Sequence, residues 1–283
     1  MSHTDVTGTV GALWRYPVKS LLGERIGRAE ATDRGLAGDR RLALLDRETG
    51  KVASAKAPRR WSDLLRCTAT TTPSGARITA PDGTTWESTD PDVHDGLSAY
   101  TGRPVTLTAT PPPAATLDRS RPEEVLGEGA EDDVTADVTA DVVGFAAAAP
   151  GTFFDFAPVH LITTATLARI AALSPRATVE PERYRPNLLI TTADEGFTEN
   201  HWLGKELTIG EHVTLHVIAL TPRCAVPTLI HGDLPRDPDA LRVPARHNRV
   251  PALPGRAPEA CAGAYARVVR GGWIQEGDAV RLG

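Results

Sequence analysis

Short apolar runs closed by turn residues recur along this chain, and that spacing limits what it can fold into. Val10 to Trp14 is apolar and is ended by Tyr16-Pro17. Leu42 to Leu45 is followed by Asp46-Arg47-Glu48-Thr49-Gly50, a hairpin connection with glycine late in the loop. Cys67 to Thr72 is threonine-rich and β-prone, and Arg77 to Ala80 leads into the turn Pro81-Asp82-Gly83. Val105 to Thr108 is another such run, and Asp92 to Tyr100 reads as a short helix that Gly102 stops. Many short strands with turns between them predict a barrel-like sheet. Aromatic residues make up only 5% of the chain, so its core must rest on Val, Leu, Ile and Ala.

Pro111-Pro112-Pro113 breaks the pattern, and residues 133–143 then repeat a four-residue DVTA unit too short to build a solenoid. From Pro122 to Ala168 there is no Lys or Arg, while Glu123, Glu124, Glu128, Glu131, Asp132, Asp133, Asp137, Asp141 and Asp155 fall within it. Residues 111–150 therefore read as an acidic linker or loop between a unit at 6–110 and another at 151–283. The formal net charge is −5, but without those nine acids the remainder is +4 (31 basic, 27 acidic). A mildly cationic folded part suits a small anionic ligand.

Order is expected again from Phe153-Phe154-Asp155-Phe156. His160 to Thr163 reads as a strand entering a helix that Thr163 or Thr164 caps, with Leu167, Ile170 and Leu173 at helical spacing. Asn187 to Thr191 is a buried strand, Leu207 to Gly210 and Val213 to Leu220 form a hairpin, and Asp237 to His247 is helical although Pro244 interrupts it. Tyr265 to Val269 and Ala279 to Leu282 close the chain as strands. The expected fold class is mostly β with some α.

No basic stripe stands out, so no nucleic-acid partner is expected. No apolar run approaches the length of a membrane span, and the first residues lack the charged and apolar regions of a secretion signal. Three cysteines without a CxxC pair give neither a disulfide framework nor a zinc site and fit a reducing cytoplasm. The eight histidines show no HxH or HExxH spacing, so none is assigned a metal.

Five segments place polar groups beside turns and strand ends. In Tyr16-Pro17-Val18-Lys19-Ser20, an ammonium and a hydroxyl follow a proline that fixes the chain direction. Gly38-Asp39-Arg40-Arg41 leads into the run at Leu42. Arg183-Tyr184-Arg185-Pro186-Asn187 sets two guanidiniums before a strand, suited to binding an anion or to pairing with Glu180 or Glu182. Thr221-Pro222-Arg223-Cys224 places a cysteine beside an arginine at a strand end, where a thiolate and a thiolate-preferring metal are both reasonable. Asp155 and His160 read either as core polar residues or as proton carriers, and Cys67 and Cys261 as packing.

In this order the segments resemble the MOSC proteins that carry an N-terminal MOSC β-barrel domain. That family includes the mitochondrial amidoxime-reducing components, the bacterial hydroxylaminopurine-resistance reductases and the C-terminal part of molybdenum-cofactor sulfurases. The resemblance is carried by YPVKS at 16–20, GDR at 38–40, DFAPVHLIT at 155–163, RYRPN at 183–187, ENHWLGKELTIG at 199–210, PRC at 222–224 and EGDAVRL at 276–282. It implies two β-barrel domains with the molybdenum cofactor (molybdopterin) between them and Cys224 as metal ligand. It also implies Lys19, Ser20, Arg40 and Arg185 as cofactor anchors, with Asn187, Thr221, Arg223 and the helix opening at Thr163 close by. Asp155 joins Cys224 as a catalytic candidate.

Where many relatives read TARQxP, this chain reads Ala53-Ser54-Ala55-Lys56-Ala57-Pro58, which puts a lysine in place of an amide and touches substrate preference. The resemblance implies reduction of small N-hydroxylated substrates with electrons from a separate flavin or iron–sulfur protein. A cofactor carrier, a sulfur-transfer protein bearing a persulfide on Cys224, and a repurposed biosynthetic enzyme remain open.

Overall fold

The computed structural model describes residues 6–120, 143–144 and 151–283, and the four-residue repeat and the acids between 123 and 141 lie outside them. The described chain is mostly strand with few helices, as expected. Its centre is a closed barrel of seven strands. In order around the wall these are Val159–Thr163, Leu188–Thr191, Val6–Arg15, Ala279–Leu282, Glu206–Ile209, Val213–Pro222 and Pro258–Arg270, which pairs back onto Val159–Thr163. Closure leaves no free edge within this ring.

The first and second strands of that order run parallel, Leu161 facing Leu188, and every other junction is antiparallel. A parallel pair needs a crossover, and the Thr164–Leu173 helix supplies it. Thr163 is its N-cap, accepting from Thr166 N at 3.1 Å. The barrel interior is filled by branched aliphatics such as Val10, Leu13, Leu161, Leu188, Leu215 and Val280.

A second core of Val18, Leu44, Trp61, Ile78, Leu97 and Val105 lies in the N-terminal unit. It is covered by the meander Thr68–Thr72, Gly75–Thr79 and Thr85–Glu87, by the pair Ala43–Asp46 with Val105–Thr108, and by the helix Val93–Thr101. Gly102 ends that helix in the left-handed region, at φ 64°, as its sequence position suggested. The opening strand of this unit, Val6–Arg15, is built into the barrel of the C-terminal one.

Three features differ from expectation. The strand Pro258–Arg270 is longer than the expected 265–269, because Ala260, Cys261, Ala262, Gly263 and Ala264 are all buried and show no alternation. The strand Arg28–Thr32, which pairs with Gly272–Gln275, was not anticipated: only Ala29 and Ala31 turn inward, a weak signal among charged neighbours. Part of the expected linker is packed, since Thr116–Leu117 pairs with Val143–Gly144 and Leu117 is buried against Ala43, Val52 and Phe153. Among the described residues no helix is long and apolar enough to cross a membrane.

Candidate functional site

A cavity opens between the barrel and the N-terminal unit, with about 860 Å³ of space free of protein atoms, part of it open to solvent. Lys19, Ser20, Arg40, Asp155, Arg185, Asn187, Arg223 and Cys224, all singled out from sequence, line it together. The tight turns explain how. Tyr16 N donates to Asp39 Oδ1 at 2.7 Å, Arg40 N to Tyr16 O at 2.7 Å, and Lys19 N to Leu42 O at 2.8 Å, which locks segment 16–20 against segment 39–42. Asp39 is buried, also pairs with Arg40, and accepts from Asn187 Nδ2 at 3.0 Å.

Ser20, Arg40 and Arg185 have φ of 66°, 47° and 54°, a region that side chains other than glycine rarely occupy. Only two other non-glycine residues among those described, Ala114 and Ala177, do so. Strain gathered at one cavity marks a conformation that the surroundings enforce. The Tyr16 ring lies against the Arg185 and Arg40 guanidiniums, at 4.4 and 4.8 Å, and keeps the two cations side by side. Burial pushes the Arg185 guanidinium down to about 10, a cost that a bound anion would offset.

The barrel contributes a second set. Asn187 Oδ1 accepts from His160 N at 3.1 Å and its Nδ2 donates to Trp14 O at 3.3 Å. His160 Nδ1 faces Arg185 O and its Nε2 faces Arg223 Nη1, both at 3.3 Å. Burial, together with the Arg223 charge, holds His160 well below its usual pKa, so the ring is neutral, donates from Nδ1 and accepts at Nε2. Both nitrogens are thereby engaged, and the ring works as a spacer between two arginines rather than as a proton carrier. Gly263 makes room for it: at φ 83°, a Cβ there would lie 2.7 Å from His160 Nε2 and 2.6 Å from Leu161 O.

Arg223 donates to Ala262 O at 3.1 Å and to Tyr184 O at 3.3 Å, while its Nε is buried with no hydrogen-bond partner. Cys224 follows directly, past the end of the Val213–Pro222 strand, half-buried in the cavity wall. Cys67 and Cys261 are buried, and burial pushes the Cys261 thiol up to about 12, in keeping with packing roles.

The remaining wall is lysine-rich. Asp155 pairs with Lys19 and, at 3.0 Å, with Lys56; Lys19 also donates to Phe153 O at 2.8 Å. Burial opposes ionisation of Asp155, but the two ammonium groups outweigh it and hold the carboxyl well below the ordinary range. Burial pushes Lys19 down to about 8, against the pull of Asp155 and with help from Lys56. Lys56 is raised despite burial, by the charges of Asp155 and Cys224. Asp155 is thus a fixed carboxylate that orients two ammoniums, and Lys19 is the group poised to release a proton near neutral pH.

Thr163 and Thr221 are not among the residues that line the cavity. Thr163 is fully buried, caps its helix, and donates its N–H to Glu199 at 2.5 Å. Thr221 is also buried, within the barrel strand, and its hydroxyl has no partner. Arg183, expected to bind an anion or pair at the surface, does pair with Glu180 at 2.5 Å but is buried and donates onward to Pro235 O at 2.7 Å. Sequence reasoning missed Arg119, Phe154, Phe156 and Tyr265 in the lining. Arg119 fell in the segment read as linker, and the aromatics carried no spacing signal.

Among the described residues, seven cations line the cavity (Lys19, Arg40, Lys56, Arg119, Arg183, Arg185 and Arg223) against one lining carboxylate, Asp155. Two of these arginines, Arg119 and Arg223, bury an Nε without a partner. A dianionic phosphate or a similar anion fits such a donor set. No group of three or more His, Cys, Asp or Glu gathers among the described residues, so the protein offers a metal one thiolate rather than a cage. A metal held here would bring its other ligands with it, as an anionic organic cofactor does.

Residues 149–281 match the MOSC domain, and residues 7–98 match the MOSC N-terminal beta barrel domain. No curated protein matches the chain significantly in sequence. Among solved structures, the YUAD protein from Bacillus subtilis is similar over 97% of this chain and 94% of its own, at 12% identity and a TM-score of 0.47. YiiM from Geobacillus stearothermophilus is similar over 45% of this chain and 54% of its own, at 16% identity and a TM-score of 0.32.

Proposed function

Because the chain belongs to the MOSC family, whose domain occurs in molybdenum-cofactor-binding proteins, we propose that it is a molybdenum-cofactor-dependent reductase of N-hydroxylated compounds. The observation that carries this reading is one thiol, Cys224, in a cavity that the described residues line with seven cations and one carboxylate. Arg40, Arg185 and Ser20, held in strained backbone, would bind the pterin and its phosphate, with Arg223 offering its unpaired Nε. Cys224 would ligate the metal. Bound there, the cofactor supplies a centre that exchanges two electrons with the substrate.

The reaction takes R–NHOH, two electrons and two protons to R–NH2 and water. The N–O bond breaks, an N–H bond forms, and the oxygen leaves as water. The electrons come from a separate flavin or iron–sulfur protein. Lys19 Nζ, with a pKa of about 8, holds a proton beside the site, and Asp155 keeps it oriented. The site lies between a unit at 6–110 and one at 151–283, which we propose as the functional halves.

Molybdenum analysis of protein from a cofactor-competent host, with Cys224→Ala alongside, tests this. Near-stoichiometric metal in the parent that is lost in the variant is expected, together with benzamidoxime turnover by a chemical reductant. No metal in either, with the host's supply verified, overturns the reading. A persulfide on Cys224 without turnover replaces it with sulfur transfer.

A further inference from the structure

Resting on the reductase reading, we propose that Lys56 and Arg119 form a subsite for an anionic oxygen group of the substrate, so that the enzyme selects N-hydroxylated compounds bearing a carboxylate or phosphate. Arg119 reaches the cavity because residues 116–120 run beside residues 52–56 as a strap. Val52 N donates to Thr116 O and Ser120 N to Lys56 O, both at 2.8 Å, and Lys51 pairs with Asp118 at 2.6 Å. Buried Leu117 pins the strap from beneath. The strap thereby sets Arg119 and Lys56 in the same cavity wall, both partly exposed, whereas Lys19 is buried.

Among the described residues, Asp155 is the one carboxylate in the cavity lining, it pairs with both Lys19 and Lys56, and Arg119 forms no ion pair. The Nε of Arg119 is buried and has no hydrogen-bond partner. A planar guanidinium beside an ammonium binds a carboxylate or phosphate with direction as well as charge. Cys224 lines the same cavity as Lys56 and Arg119, so the proposed subsite shares its space with the thiol. The same donors would suit a cofactor phosphate, and the test separates the two sources.

The test uses molybdenum-loaded protein, the neutral probe benzamidoxime and its anionic counterpart 4-carboxybenzamidoxime. The variants are Lys56→Gln, Arg119→Gln and Arg119→Lys. In calorimetry the parent binds the anionic probe about tenfold more tightly than the neutral one, and each Gln variant loses most of that preference. Arg119→Lys keeps part of it, and added salt narrows it. With a chemical reductant, the same preference appears in kcat/KM. Equal binding of the two probes by the parent, or a preference that the Gln variants retain, overturns the proposal. Loss of molybdenum from the Gln variants assigns the pair to the cofactor phosphate and also overturns it. A charge preference that follows both residues, with neither probe turned over, supports the subsite and counts against the reductase reading.

Discussion

The two walls of the cavity are held in different ways. Around Tyr16, Asp39, Asn187 and His160, most charged or polar groups have a fixed partner, often a backbone atom: Arg223 on Ala262 O and Tyr184 O, Arg185 on Leu21 O at 2.6 Å, Tyr16 N on Asp39. On the opposite wall, Lys19 and Lys56 share one carboxylate. The first arrangement cannot shift without leaving buried donors unpaired, which costs far more than it returns. In the second, Lys19 is buried, but the Lys56–Asp155 pair is partly exposed and can exchange partners at lower cost. A rigid wall suits a permanently bound cofactor, and an adjustable one suits a substrate that comes and goes.

Breaking the rigid wall should therefore cost the most. Asp39→Ala leaves Tyr16 N without an acceptor, removes the carboxylate paired with Arg40 and takes one of two acceptors from Asn187 Nδ2, and is expected to destabilise the protein by about 3–5 kcal/mol, read from its urea midpoint. A loss under about 1 kcal/mol would show that this network is not what holds the wall. Gly263→Ala forces a methyl against His160 and Leu161 O at positive φ, for an expected loss of roughly 1–3 kcal/mol.

Lys19 gives a pH-dependent comparison. With its folded pKa lowered from 10.5 to about 8, the unfolded chain binds more protons between those values. Its burial therefore costs stability below pH 8, and that cost is relieved as the pH rises towards 10.5. Lys19→Met should lose this relief, a difference in slope of at most about 1.4 kcal/mol per pH unit in urea titrations. Matching slopes would mean that Lys19 titrates normally. The smallest effect is expected on the adjustable wall. Lys56→Gln breaks a partly exposed ion pair and should change stability by less than about 1 kcal/mol. A larger loss would make that wall structural and erase the contrast.

Much of this was legible in the primary structure. The hairpin at Leu207 and Val213, the strand Val105–Thr108 and the capped helix after Thr163 follow local rules of alternation, turn residues and capping, and they stand where those rules put them. Four residues that line the cavity were visible for a related reason: Lys19, Arg40, Arg185 and Cys224 sit at strand ends and tight turns, where polar groups interrupt apolar runs. Thr163 lies outside the cavity lining, where its hydroxyl caps the helix at Thr166 N and its N–H goes to Glu199. Arg119 was hidden because a proline-rich, acid-rich neighbourhood reads as solvated chain whatever part of it packs.

The sequence by itself determined the strand-rich class, the turns, and which polar segments interrupt the apolar runs. These depend on neighbours a few positions apart, whose preferences can be read along the chain. Only the tertiary structure decided that Val6–Arg15 completes the barrel between Leu188–Thr191 and Ala279–Leu282, and that the strap at 116–120 lends its arginine to the cavity. It also decided that one carboxylate serves two lysines from distant segments. Those outcomes depend on contacts between residues from 64 to more than 200 positions apart, and on burial that sets the charge state of each group.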